Sequence, residues 1–194
     1  ARDLSWLMTA ASVALSLVFL VASMSLARRV GGPFPALAAG LYLALGPKFL
    51  TVLTLNSVGQ YVDVLALGGL ALALTARVLQ DDRSGFAARG HYFTAGLLLG
   101  AAFWQQPVAL SYAAAIAVAL AWRPRTWRDP WTALALLGAA IGALPVLLWN
   151  VQHGWASRDI LGREPSDLRA QAEVLPHLMG RTLSVSFPIL AGLS

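Results

Sequence analysis

Side chains able to do chemistry are few in this sequence and gather in three short stretches. The first is Asn56-Ser57-Val58-Gly59-Gln60-Tyr61-Val62-Asp63, which runs straight into the apolar VLALGGLALALTA. The second is Gln105-Gln106-Pro107, set inside an apolar run. The third is Trp149-Asn150-Val151-Gln152-His153-Gly154-Trp155-Ala156-Ser157. Asp63 is one of nine acids in the chain. A carboxylate at the mouth of an apolar helix is costly and marks a functional site by default. It can hold a divalent metal or accept a proton. Amides pair donors with acceptors and so match sugar hydroxyls. Tryptophan and tyrosine stack on sugar faces or anchor at lipid head groups.

Each group also has a plainer role. Asp63 can cap the outer end of its helix and face water. Asn150 can cap the carbonyls at a helix end, and His153 can be a solvated loop histidine. Gln105 and Gln106 can supply the backbone groups that a proline break frees. Lys48 can snorkel to phosphates as terminal lysines do. Arg158, Arg163, Arg169 and Arg181 bind lipid phosphate or form a solvated face. No Walker-type phosphate loop, His-Glu-x-x-His zinc motif or Gly-x-Ser-x-Gly elbow occurs.

The elements that must hold these groups are membrane helices. The 194 residues are 58% hydrophobic and only 12% charged, with a mean hydropathy of +0.66. Soluble domains carry roughly twice that charge. Successive apolar runs, each about bilayer length, make an integral membrane protein with an all-α helix bundle. The first run is not a cleaved signal, since no small-residue cleavage site precedes a soluble body. There are no cysteines, which excludes disulfides and thiolate metal sites. The +5 charge comes from residues lying mainly between apolar runs, where they set topology; it is no nucleic-acid signal.

Residues 4–27 form one span, ended by Arg28-Arg29 and broken at Gly31-Gly32-Pro33. Residues 34–45 form a short second helix, 48–55 a further turn or two, and 62–76 the third span. Residues 80–91 read as a polar loop. Residues 92–122 would make one helix of roughly 46 Å, too long for a ~30 Å core, or two short ones broken at Pro107. With Arg28-Arg29 cytoplasmic, two helices put Arg77, Arg83 and Arg89 in one cytoplasmic loop and Arg123, Arg125 and Arg128 in another, as the positive-inside rule requires. Trp122, Trp127 and Trp131 flank that second loop at the interface. Residues 132–149 read as the last span, with Pro145 near its outer end. About six membrane segments result, with both chain ends outside. Residues 1–150 are then the bundle. Residues 151–194 are an outer loop with short interfacial helices, one of them opening at Pro165-Ser166-Asp167, and a possible seventh span at 175–192. Gly96-Leu-Leu-Leu-Gly100 and Gly138-Ala-Ala-Ile-Gly142 allow close helix approach, read here as ordinary packing.

This topology collects Lys48, Asn56, Gln60, Tyr61 and Asp63 at the outer face, with Gln105, Gln106, Trp149, Asn150, His153 and Ser157. Such a cavity suits a polar head group whose lipid tail stays in the bilayer. In chain order, the features resemble the GT-C glycosyltransferases that use polyprenyl-phosphate sugars, the family 39 and aminoarabinose-transferase-like membrane enzymes. They are SWLMTAASVALSLVFLVASMSLARRVGGPFPALAAGLYLALGP, the acid-led GQYVDVLALGGLALAL, the broken GLLLGAAFWQQPVALSYAAAIAVAL, and LPVLLWNVQHGWAS. The last, with its Trp-Asn-x-x-His element, is the most specific.

The resemblance implies an integral protein of the plasma (inner) membrane, working on its extracytoplasmic side. There a polyprenyl-phosphate donor would pass its sugar to an acceptor with inversion. In that family a carboxylate in the first outer loop acts as base. That loop is missing here and Asp3 does not replace it, so the resemblance implies a fragment whose catalytic residue is unknown. Asp63 matches the second acid, near donor phosphate or a divalent metal. Many relatives carry lysine where Gln105-Gln106 stands, which leaves Lys48 or an outer arginine to meet phosphate. Tyr61, Gln60, Gln105 and Gln106 would line the cavity; Trp149, Asn150, His153 and Ser157 would shape its lid. Membrane lipids are the other expected partners, and the oligomeric state is open. A rival reading is a transporter or flippase for a lipid-linked or small polar solute, since broken helices serve those too. A non-catalytic scaffold subunit is a third.

Overall fold

The computed structural model describes residues 2–45, 61–80, 86–122 and 132–157. Lys48, Asn56, Gln60, Arg83, the arginines at 123–128 and residues 158–194 lie outside the described residues. No strand occurs among the described residues. The all-α membrane bundle expected from the sequence is the fold.

α1 (Arg2–Gly31) is a 30-residue helix, long and apolar enough from Trp6 onward to cross a bilayer. It stops at Gly32, whose φ of 88° is left-handed and therefore suits glycine. The Gly32 N–H still reaches the Arg28 carbonyl at 2.9 Å. Pro33 then opens α2 (Pro33–Ala44), at a position where its missing N–H has no helical partner to lose. α2 folds back along α1, and Gly40 is what lets it lie against Met24. A Cβ there would stand 2.8 Å from the Met24 sulfur.

α3 (Tyr61–Gln80) carries Asp63 in its first turn and Arg77 in its last. It too is long and apolar enough to span. It runs parallel to α1: Gly69 lies against Phe19 and Ala22, and Gln80 Nε2 donates to the Arg29 carbonyl at 3.0 Å. α4 (Phe86–Gln105) returns antiparallel, so Val64 near one end of the hairpin meets Ala102 near the other. The chain then breaks at Gln106, turns through a 3-10 segment (Pro107–Ala109), and descends as α5 (Leu110–Ala121). Tyr112 of α5 lies over Gly68 of α3. The split of residues 92–122 into two helices is thus as expected, and its cause is the proline.

α6 (Thr132–Gly142) runs parallel to α4. A Cβ on Gly96 would overlap the Ala135 carbonyl oxygen, and one on Gly100 that of Ala139. One on Gly138 would meet the Phe93 carbonyl oxygen, and one on Gly142 that of Leu97. The two Gly-x-x-x-Gly stretches face each other backbone to backbone, a closer union than the ordinary packing expected. α7 (Leu144–Gln152) follows at a 55° bend.

Three expectations change. Residues 86–91 are helical rather than loop, because Ala87, Ala88 and Arg89 are strong helix formers despite the polar neighbourhood. The expected single span over 132–149 is bent at Ala143. Pro145 cannot donate to the carbonyl one turn back, so it starts a new helix instead of ending an old one. Against the six expected segments, among the described residues two helices are long and apolar enough to span, or three with the bent pair counted as one; Pro33–Ala44 and Pro107–Ala121 are shorter apolar helices.

Candidate functional site

The helix directions sort the polar residues. Arg28 and Arg29 end α1, Arg77 ends α3, and Arg89 and His91 lie in the first turns of α4. All five belong to one end of the bundle. At the opposite end, Val64, Ala102 and Ala109 form a buried cluster with Leu67, Phe103 and Tyr112 packed on it. Ala102 and Ala109 flank the Gln105–Gln106 break. Asp63 precedes Leu67 by one helical turn and so shares its face of α3, the face turned toward the break. Tyr61 stands a half turn above, exposed. Asp63, Tyr61, Gln105 and Gln106 are therefore brought to one end.

The break heals through its own backbone. The Gln106 N–H donates to the Ala102 carbonyl at 3.1 Å, and the Ala109 N–H donates to the Gln106 carbonyl at 3.1 Å. The Gln106 side chain makes no capping bond. Among the described residues, no hydrogen bond or ion pair engages the side chains of Asp63, Gln105 or Gln106. All three are partly buried. None of their polar atoms is both buried and unpartnered, so these three side chains reach solvent. On the other side of α3, a half-open apolar cavity of about 350 Å³ lies between α1, α2 and α3, lined by Leu17, Leu20, Ala44, Val62 and Leu65 among others. Sequence reasoning missed it, because apolar residues in apolar helices carry no signal of which ones enclose space.

The third stretch builds a separate unit on α7, whose neighbours are α4 and α6. Asn150 is only 5% exposed. Its Nδ2 donates to the Val146 carbonyl at 2.9 Å, and its Oδ1 accepts the Ser157 N–H at 3.1 Å. Its own carbonyl accepts the Trp155 N–H at 2.7 Å and the His153 N–H at 3.2 Å. The His153 ring stacks on Trp149, centroids 4.4 Å apart and planes 16° from parallel. Gly154 and Trp155 both have positive φ, 63° and 64°. For a bulky residue that strain is on the order of 1–3 kcal/mol and persists only where surroundings enforce it. Trp155 was not singled out in the sequence; its N–H closes the turn onto the Asn150 carbonyl. Trp149 and Trp155 remain exposed, at 44% and 54%.

A metal was expected at Asp63. Among the described residues no three His, Asp or Glu side chains gather to hold one. A lone carboxylate does not make a protein cage. It fits only the mode in which magnesium keeps its waters and takes its remaining ligands from a substrate phosphate.

A bundle of apolar and broken helices is the build of an integral-membrane protein. Over residues 1–149 the chain matches the dolichyl-phosphate-mannose-protein mannosyltransferase family. The chain belongs to that family, which is of the GT-C glycosyltransferase type. Comparison with curated proteins and with solved structures finds no match to either.

Proposed function

We propose that the chain is an integral-membrane glycosyltransferase, or the membrane core of one, that moves a sugar from a polyprenyl-phosphate donor to an acceptor on the extracytoplasmic side. The observation that carries this reading is the unengaged set Asp63, Gln105 and Gln106 at the bundle end away from the arginines. Positive residues favour the cytoplasmic side, so the opposite end faces outward. Family membership supports a lipid-linked sugar donor. Asp63 holds the donor end, by hydrogen bond or through a magnesium-type ion bridging to phosphate. Gln105, Gln106 and Tyr61 meet the sugar; Gln60, expected to line the cavity, and Lys48, expected to meet phosphate, lie outside the described residues. Trp149, Asn150, His153 and Ser157 form the lid. The apolar cavity takes lipid chain. The acceptor's base is assigned to none of these residues.

In the full-length enzyme, Asp63→Asn should abolish sugar transfer from a polyprenyl-phosphate donor while the melting temperature in detergent stays within a few degrees of the parent. Transfer at a near-normal rate would remove Asp63 from the donor site.

A further inference from the structure

α6 and α7 are bent apart, yet one apolar stripe runs through both. Leu137, Ile141, Leu144, Leu148, Val151 and Trp155 recur at alternating steps of four and three, and all six are exposed. That spacing keeps side chains on one side of a helix. The bend does not upset the count, because helical bonds continue across it. The Ala143 N–H donates to the Ala139 carbonyl at 2.9 Å, and the Leu147 N–H donates to the Ala143 carbonyl at 3.1 Å.

Depth and composition say what covers the stripe. A Cβ on Gly100 would stand 2.8 Å from the Ala143 nitrogen, so the bend lies beside Gly100, more than a helical turn short of the end of α4 at Gln105. α4 has 20 residues and is about 30 Å long, one hydrocarbon thickness. α7 has nine residues, about 13 Å of helix. Set at 55° to α6, it advances only about 8 Å in the α6 direction and ends close to the level of Gln105. The stripe therefore stays at membrane depth. No charged residue occurs from 132 to 157. Membrane helices meet through small residues, and Gly138 and Gly142 are already spent on α4. The stripe itself holds only leucine, isoleucine, valine and a terminal tryptophan. Bulky apolar groups with no small residue among them suit acyl chains, and tryptophan suits the headgroup level.

We propose that α7 is an elbow embedded in lipid: its Leu144–Leu148–Val151–Trp155 stripe lies against phospholipid acyl chains in the leaflet away from Arg28, Arg29 and Arg77, with Trp155 at the headgroup end. His153, nearly opposite Val151 around the helix and exposed, faces the aqueous side. The proposal needs the membrane fold alone, so it stands or falls apart from the glycosyltransferase reading.

The test is electron paramagnetic resonance of nitroxide labels in the full-length protein in phospholipid bilayers, with the unsubstituted protein as blank. Labels are placed singly at Leu148→Cys and Val151→Cys on the stripe, at Leu137→Cys as the reference on α6, and at His153→Cys. Molecular oxygen, which dissolves in acyl chains, should relax the labels at 148 and 151 as strongly as the one at 137. A water-soluble nickel chelate should relax them several-fold less than the label at 153. A chelate effect at 148 and 151 equal to that at 153 would put the stripe in water and overturn the proposal. Labels at 148 and 151 that neither reagent reaches would be covered by protein, either residues 158–194 or a second copy of the chain, and that result overturns it as well.

Discussion

Asn150 uses both ends of its side-chain amide within seven residues of itself. It is therefore a clasp, and its burial is matched by a local partner for each end of its side chain. The plain capping role was legible in the sequence, because asparagine at the end of an apolar helix tends to bond nearby backbone. The direction was not legible: that its Oδ1 reaches forward to Ser157 across a turn in which Gly154 and Trp155 are left-handed. Asn150→Ala should speed hydrogen exchange at the Trp155 and Ser157 amides by about 10–100-fold, since a partnered buried amide is worth on the order of 1–3 kcal/mol. Asn150→Asp keeps the acceptor for Ser157 but sets a carboxyl oxygen against the Val146 carbonyl, so it should recover protection only in part. Unchanged exchange in both variants would mean the turn holds itself.

At the scale of elements, glycine spacing and proline position decide the packing. The Gly96/Gly100 and Gly138/Gly142 pairs were visible as motifs, yet an alanine-rich chain offers many such pairs, and spacing alone does not say which two meet. Their meeting is what makes α4 and α6 the closest backbone approach described. Gly96→Ala or Gly138→Ala drives a methyl group into a carbonyl oxygen and should cost about 1–3 kcal/mol or more, as overpacking does. Thermal melting in detergent measures it. Gly90 is a built-in control: nothing lies within 4 Å of a Cβ placed there. Gly90→Ala in the same helix should raise stability by about 0.5–1 kcal/mol, through backbone entropy alone. Equal effects at positions 90 and 96 would contradict the backbone contact. Proline was read correctly at Pro107 and incompletely at Pro145. In the first case two amides advertised a break. In the second the apolar run was continuous in composition, so a bend of 55° left no polar mark.

For the whole molecule, the arrangement is two ends of opposite character. One carries Arg28, Arg29, Arg77 and Arg89; the other carries Asp63 and the Gln105–Gln106 break. Charge placement made this polarity legible from sequence, since it follows from where lysines and arginines interrupt apolar runs. What did not follow was whether Asp63 and the Trp149–Asn150 corner form one pocket. α7 packs on α4 and α6, while Asp63 lies on α3, which packs on another part of the bundle including α4; the two stretches share α4 as a neighbour and are not brought into contact with each other. These 194 residues hold no cysteine, so an introduced one is the only thiol among them. An impermeant maleimide should reach Gln106→Cys from outside intact cells and Arg77→Cys only after permeabilisation. The most direct measurement extends this to the ligand: the rate of maleimide modification at Gln106→Cys in the full-length protein, with and without a polyprenyl-phosphate sugar. Modification from the outer face, slowed several-fold by the donor and not by the free polyprenol, is the predicted result. Modification from the arginine side, or a rate indifferent to the donor, would contradict a donor site at the broken helix.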